Sequence, residues 1–536
     1  MSQNLESLVG QSLMLAFVGS TATPELLDAL AQARAAGVVL FADNIQTPAG
    51  VHDLIRTLQG QAAALGLPPL LVAVDQEGGI VSRLPEPFTT VPSQMAQAAT
   101  GDSAAAHGCA LITARQLRAV GINLNFAPVL DVNCNPANPV IGTRSFSENP
   151  DIVTRFGLAA LRGYKEAGVI ATVKHFPGHG DTEIDSHLGL PVVRHDIARL
   201  KKVELAPYAA AVQAGVPAVM SAHVVLEAID ELPATLSAEV LTGLLRRDLG
   251  FDGVVFTDDL TMRAITDRYG LAQAAVRAKA AGADVLVLAV RTLDEQVSVA
   301  RALRDAVASG ALPAEIFEAT ADRLDRLRSA YGISTAVSPF IELEPTLAQD
   351  VLAIARRSIT VVQGQERLPL PADTRVALID CLLPRWSRVE EAVERAALLR
   401  ELVEQAFPAA TSITVDPEPT EDDLARARPL AGAADTVLLV TRDAQWVTHQ
   451  VQLARELAAS GTPLIHAAVR GPYDGETIRG AAATLVTYGD PPVSLRALVD
   501  ILAGRAKPEG TLPVRLEVPP PLSPADERVA GRGQAT

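Results

Sequence analysis

The amino-acid sequence predicts an α/β protein, a (β/α)8 TIM-like barrel followed by a smaller open-sheet α/β sandwich domain. Three observations predict it. Eight short apolar runs recur through residues 1–335, each followed by an amphipathic stretch of helical length. The runs are apolar on both faces, as parallel strands covered by helices must be. Beyond a break at STAVSPFIELEPT, five more runs alternate with helical patterns on a smaller scale.

The barrel runs fall at 13–17, 38–42, 70–75, 123–128, 170–176, 218–224, 253–259 and 283–290. The spacers 47–60, 151–166 and 237–249 carry Ser, Thr or Asp near their starts, and several end at Gly, as capped helices do. The run at 170–176 is followed by a long non-helical segment containing HFPGHGDTEIDSHLGLP. Inside a compact fold a loop of that length is more often functional than idle. Residues 336–350 read as a linker. The runs at 376–380, 412–416, 436–440, 463–469 and 483–488 supply the strands of a second domain spanning 351–519. The segment 520–536, rich in Pro, Ala, Gly and charge, is expected to be a disordered tail.

Composition narrows the function classes. The 536 residues are 48% hydrophobic and 20% charged, ordinary for a folded chain. A formal charge of −16 repels phosphate backbones and anionic membrane surfaces, so neither nucleic acid nor membrane is an expected partner. Cys109, Cys134 and Cys381 are scattered and odd in number, which argues for a reducing compartment. The first residues carry neither a basic segment nor an apolar run of spanning length, so a cytoplasmic location is expected.

In such a barrel the chemistry sits at the carboxyl ends of the strands. Asp75, Glu77 and Arg83 follow the third run, Asp131, Asn133 and Arg144 the fourth, Lys174 and His175 close the fifth, Ser221 and His223 the sixth, and Asp258 and Asp259 the seventh. That set suits a polar, multiply hydroxylated or charged small molecule. Plainer readings stand beside it: Asp259 as a helix N-cap, Arg83 neutralising Glu77 at the surface, Gly78-Gly79 and Gly178-His179-Gly180 as tight turns. Asp258 is different, because a carboxylate behind an all-apolar strand is expensive to bury without a partner or a role. Five of the nine histidines lie between His175 and His223, which raises a metal hydrolase. Lys174 and Arg144 among the would-be ligands oppose a metal ion, and no HExxH or cysteine pair is present. His107 and His195 are assigned no role. In the second domain His449, His466, Trp446 and Tyr473 read as core or surface.

The segment KHFPGHGDTEIDSHLGLP, with DQEGG and its following arginine, IGTRSFS and GVVFTDDLTM, resembles glycoside hydrolase family 3. Asp185-Ser186-His187 is similar to the mark of its β-N-acetylglucosaminidase branch. The motifs appear in family order across the barrel, and SITVVQ and GTLPV extend a weaker likeness into the second domain. The resemblance implies a retaining enzyme without cofactor or metal. Asp258 would be the nucleophile, kept ionised by Lys174 and Arg144, and His187 the acid/base, oriented by Asp185. Asp75 would accept from sugar hydroxyls, with Arg83, Arg144, Lys174 and His175 as donors around the sugar. It also implies a small carbohydrate partner, N-acetylglucosaminyl glycosides or muropeptide fragments of cell-wall recycling. Phosphorolysis with the same residues is the alternative, and a sugar-binding protein without catalysis a third. The second domain departs from single-domain members of the branch, and the sequence does not choose among a capping, dimerising or stabilising role for it.

Overall fold

The computed structural model describes residues 3–182, 186, 189–289, 292–344, 346–383 and 395–516. The expected tail at 520–536, together with Asp185 and His187, lies outside the described residues. The chain packs as two units. One takes in Met1–Gln94 and Asp102–Ala348, the other Met95–Gly101, Gln349–Trp386 and Ala392–Thr536.

The first unit is the barrel. All eight predicted runs contribute its strands: β1 (Leu13–Leu15), β2 (Gly37–Leu40), β3 (Leu71–Val74), β4 (Leu124–Asn125), β5 (Ile170–Phe176), β6 (Ala218–Ser221), β7 (Val254–Thr257) and β8 (Leu286–Leu288). They lie in the order β8-β1-β2-β3-β4-β5-β6-β7, every pair parallel. β4 is shorter than its apolar run because Pro128 has no N–H for the ladder. Phe126 N donates to Val74 O at 2.9 Å, and the chain beyond serves mainly as acceptor until Leu130 N reaches Lys174 O at 2.7 Å.

The sheet closes on itself at a seam between β7 and β8, where the ladder is reduced to the bridge Phe256–Val285. Side chains complete it. Asp284 accepts from Val255 N at 2.8 Å, Thr257 Oγ1 from Val287 N at 3.0 Å, and Asp259 from Ala289 N at 2.9 Å. Inside, Met14, Val39, Leu71, Ala73, Phe126, Ile170, Met220, Phe256 and Val287 fill the barrel, with Phe126 and Phe256 edge to face at 5.5 Å. Each large apolar side chain removed from water there contributes about 1.5–3 kcal/mol.

The surrounding helices begin and end near the predicted signals. Thr47 Oγ1 accepts from Gly50 N at 3.1 Å to cap Pro48–Ala64. Asn149 caps Pro150–Ala167, which stops at Gly168 in the left-handed region with φ +74°. Ser237 Oγ accepts from Val240 N at 3.2 Å ahead of the helix Glu239–Asp248. Among the described residues no helix is long and apolar enough to cross a membrane.

The second unit is an open sheet of β9 (Thr360–Gln363), β10 (Val376–Cys381), β11 (Thr411–Val415), β12 (Thr436–Thr441), β13 (Leu464–Ala468) and β14 (Ala483–Val486). Its order is β9-β14-β13-β12-β10-β11, with β9 antiparallel and the rest parallel. Five strands match the predicted runs, and β9 is additional. It lies at the sheet edge with three of its four residues only half-buried, so it lacks the doubly buried apolar signature of the four inner strands. The helix Leu347–Ser358 precedes it, opening within the segment expected to be linker.

The seam yields a test. Thr257→Val keeps the shape of the side chain but leaves Val287 N without its acceptor, so unfolding in denaturant should show a loss of about 1–3 kcal/mol. An unchanged midpoint and slope would mean that the bridge alone holds the seam.

Candidate active site

The carboxyl ends of the strands surround a cleft of about 400 Å³ lined by Asp75, Arg83, Arg144, Lys174, His175, His179, Ser186, Asp258 and Asp259, among others. Phe41, Phe126, Met220 and Met262 supply its apolar part. A polar set converging in a largely apolar hollow is the usual character of a small-molecule site.

Two carboxylates and two cations form its floor. Arg144 grips Glu77 through two nitrogens, Nε to Oε2 and Nη2 to Oε1, each at 2.8 Å. Lys174 Nζ lies 2.7 Å from Glu77 Oε1 and 2.6 Å from Asp75 Oδ1. Glu77, Arg144 and Lys174 are all buried, and Asp75 is the member that opens to the cleft, its side chain 21% exposed. Burial alone would raise the Glu77 carboxyl, but the Arg144 and Lys174 charges outweigh it and hold the group well below the usual carboxylate range. Burial likewise works against the Lys174 charge, and Asp75 and Glu77 reverse that. Glu77 is therefore not the surface partner of Arg83 that the sequence allowed. Arg83 lies in the cleft wall, its guanidinium 5.9 Å from the Phe41 ring and its backbone N–H bonded to Gln76 Oε1 at 2.8 Å.

A second hub is Asp131, fully buried. It accepts from His175 Nδ1 at 2.7 Å, from His179 N at 2.7 Å and from Tyr208 Oη at 3.2 Å. An ionised carboxylate only accepts, so His175 Nδ1 donates to Asp131, and its Nε2 lies 3.3 Å from Arg144 Nη2. Burial opposes the Asp131 charge, but His175 and His179 overcome it and lower its pKa. His175 is thus anchored through Nδ1 while it lines the cleft together with Arg83, Arg144 and Lys174.

His179 is buried, and burial followed by the nearby His175 lowers its pKa to about 4, so the ring is neutral at physiological pH. Its Nδ1 pairs with Thr182 Oγ1 at 2.7 Å and its Nε2 with Ser186 Oγ at 3.1 Å. Ser186 O also accepts from Ala264 N at 3.3 Å. The turn reading of the glycines holds. Gly79 has φ +60°, and a Cβ on Gly180 would fall 1.8 Å from Val132 O.

Asp258 follows β7, its N–H donating to Ser221 O at 3.1 Å, and one carboxylate oxygen accepts from Asp259 N at 2.8 Å. Asp259 is not a helix cap. Its carboxylate accepts from Thr261 N, Thr261 Oγ1 and Ala289 N, which fixes the turn behind Asp258, while the next helix, Arg263–Tyr269, starts at Met262 without a side-chain cap. His223 Nε2 contacts Asp259 O at 2.9 Å and supports the same turn. His195, given no role from sequence, pairs with Asp181 beyond the His179 turn, whereas His107 pairs with Glu166 between two outer helices at 3.0 Å.

The structure thus brings Asp75, Arg83, Arg144, Lys174, His175 and Asp258 to one cleft. Asp185 and His187 lie outside the described residues, and Ser186 between them lines the cleft. Glu77, Asp131 and Tyr208 are the residues that sequence reasoning left without a role. Glu77 and Asp131 were visible at strand ends, whereas Tyr208, in the helix Ala206–Gln213, carried no signal. Among the described residues no three His, Cys, Asp or Glu side chains are grouped as ligands for a metal ion.

Glu77→Gln should cost about 3–5 kcal/mol at neutral pH, because it leaves buried Arg144 without its charge partner and Lys174 with Asp75 alone. The carboxyl of Glu77 is depressed in the fold, so its stabilisation is complete above the ordinary 4.5 and is lost as pH falls toward its lowered value. Denaturation curves of the variant should therefore vary less with pH below 4.5 than those of the parent, and parallel curves would contradict the assignment. Asp131→Asn should lower kcat/KM about a hundredfold through misplacement of His175 and the chain beyond it, and should cost about 1–3 kcal/mol of stability because its amide N–H2 faces buried donors. An unaltered kcat/KM would remove Asp131 from the positioning of the site.

Comparison with known proteins agrees with this geometry. The model of the glycosyl hydrolase family 3 N terminal domain matches residues 5–327. Over 92% of this chain and 91% of the other, the sequence is 31% identical to beta-hexosaminidase A of Pseudoalteromonas piscicida. It is 38% identical over 52% of this chain to a beta-hexosaminidase of Alkalilimnicola ehrlichii, covering 80% of that protein. Among solved structures, a glycoside hydrolase family 3 beta-N-acetylglucosaminidase from Paenibacillus sp. str. FPU-7 superposes with a TM-score of 0.91 at 38% identity, covering 97% of this chain and all of the other. The chain is a glycoside hydrolase and belongs to glycosyl hydrolase family 3.

Proposed function

We propose that the protein is a retaining, exo-acting β-N-acetylglucosaminidase that removes terminal β-linked N-acetylglucosamine from small glycosides, cell-wall fragments among them. The observation that carries the reading is the placement of Asp258. It stands half-buried at the end of β7, in the same cleft as the buried Asp75–Lys174–Glu77–Arg144 cluster. The likeness to the Paenibacillus enzyme and to the hexosaminidases supports the choice of sugar.

In this mechanism a carboxylate oxygen of Asp258 bonds to the anomeric carbon as the bond to the aglycone oxygen breaks, with a proton passing to that oxygen from His187. Asp185 orients the imidazole. Water then attacks the glycosyl ester, gives its proton to His187 and releases the sugar and the Asp258 carboxylate. Asp75 accepts from a sugar hydroxyl while Lys174 fixes its other contact. Arg83, with Lys174 and Arg144 deeper in the wall, supplies donors to the sugar hydroxyls. His187 and Asp185 enter through the family motif, and Ser186 between them in sequence lines the cleft.

The test is product analysis with 4-nitrophenyl N-acetyl-β-glucosaminide, with and without inorganic phosphate. Free N-acetylglucosamine in both cases is expected, and it should disappear in Asp258→Ala with the fold retained. N-acetylglucosamine 1-phosphate would assign phosphorolysis instead, and undiminished turnover by the variant would remove Asp258 as nucleophile.

A further inference from the structure

The chain passes from the first unit to the second between Gln94 and Met95 and returns at Asp102. The residues on the two sides of that crossing are both buried, and they are held by different interactions.

On the barrel side, Gln94 is a hydrogen-bonding clamp. Its Nε2 donates to Val129 O at 2.8 Å and to Arg144 O at 2.7 Å, and its Oε1 accepts from Val129 N at 2.9 Å. One carboxamide thereby satisfies three main-chain groups in the interior. An ionised carboxylate in its place could only accept, and an ammonium could only donate. The residues just before it back the partner of Arg144. Gly79 N donates to Val91 O at 2.9 Å. A Cβ on Gly78 would fall 2.5 Å from Val91 Cγ2, and one on Gly79 the same distance from Ser93 Cβ. Gly78-Gly79 directly follows Glu77. The stretch Val91–Gln94 therefore lies against both the turn after Glu77 and the main chain of Arg144, the two residues whose pairing forms the floor of the cleft.

On the other side, Met95, Ala96 and Ala99 share a buried core with Tyr488 and Val514 of the second unit. Thr511 N donates to Ala99 O at 2.8 Å and ties down the end of the helix Gln94–Ala99. A helix of six residues does not hold its shape unaided, so the packing around it decides where Gln94 stands. We propose that Gln94 is a positioning residue for the Glu77–Arg144 pair, and that the second unit fixes Gln94 in place by burying Met95–Ala99. The link is the peptide chain itself. It gives the second unit a part in the reaction assigned to the barrel, and it rests on that reading only where turnover is measured.

Gln94→Met keeps the length of the side chain and none of its three bonds. Amide hydrogen exchange followed by mass spectrometry should quicken about tenfold in peptides covering 129–132 and 142–147. With 4-nitrophenyl N-acetyl-β-glucosaminide, well below the unfolding midpoint, kcat/KM should fall about tenfold. The loss should lie chiefly in KM, because Asp75 and Arg144 hold the sugar before as well as during reaction. Gln94→Asn, whose amide is one methylene short, should give the same changes in milder form. Val514→Ala, far from Gln94 in sequence, should give them at about threefold through the packing of Met95–Ala99. The same deletion in the unit's other core cluster, Val451→Ala, should give neither. Unchanged exchange in Gln94→Met, or quickened exchange with unchanged kcat/KM, would remove Gln94 from the positioning of the cleft. Equal responses to Val514→Ala and Val451→Ala, or none to Val514→Ala, would remove the second unit as its anchor. Absence of turnover by the parent enzyme would bear on the barrel reading only, and the exchange measurements would still decide the link.

Discussion

The buried cluster of Glu77, Arg144, Lys174 and Asp75 is the constraint around which the cleft is arranged. Its members come from the segment after β3, the loop after β4 and β5 itself, so no single stretch of chain can form it. Two positive and two negative groups balance, which lets three of them leave water without an uncompensated charge. The bidentate grip of Arg144 on Glu77 fixes distance and angle together. Asp131 then extends the order outward through His175 and His179 to Ser186. The polar half of the site is thus one connected network, rigid before any ligand arrives.

Much of the fold was legible in the sequence. The eight barrel strands are buried on both faces, and their apolar runs say so. β4 falls short of its run because a proline ends the ladder, and β9 was not read as a strand because an edge strand carries a weaker apolar pattern. The candidate site was legible at the level of residue types. Asp75, Arg83, Arg144, Lys174, His175 and Asp258 all come to one cleft because strand ends converge by topology. Pairing was not legible. Nothing local told Glu77 that Arg144 would be nearer to it than Arg83, since that depends on how the loop after β4 folds back. The same holds for Asp131 and Tyr208, whose meeting is a matter of three-dimensional packing. A cap reading of Asp259 stood beside a site role because a helix follows it closely, yet its acceptors are spent on the turn and on Ala289.

Both units bury paired charge. In the barrel it lies at the cleft and, away from it, around Asp284 with Arg246 and Arg323. In the second unit Arg442 is buried between Asp380 and Asp490, with Arg470 on the far side of Asp490. Arg442 joins the end of β10 to that of β12. The edge of that sheet is therefore held by ion pairs as well as by the apolar packing of Cys381, Val415 and Ala444.

The seam between β7 and β8 has a consequence for descent. Around most of the barrel, strand spacing is set by backbone hydrogen bonds, which every residue but proline makes equally well. At the seam the backbone bonds from Thr257 N to Val285 O and from Val285 N to Val255 O, each at 3.0 Å, are joined by the side chains of Asp284, Thr257 and Asp259, whose identities can be inherited or lost. The strand that presents Asp258 is thus held in part by side chains that mutation can change. Small changes in where the carboxylate stands are open to selection without any change in the carboxylate itself.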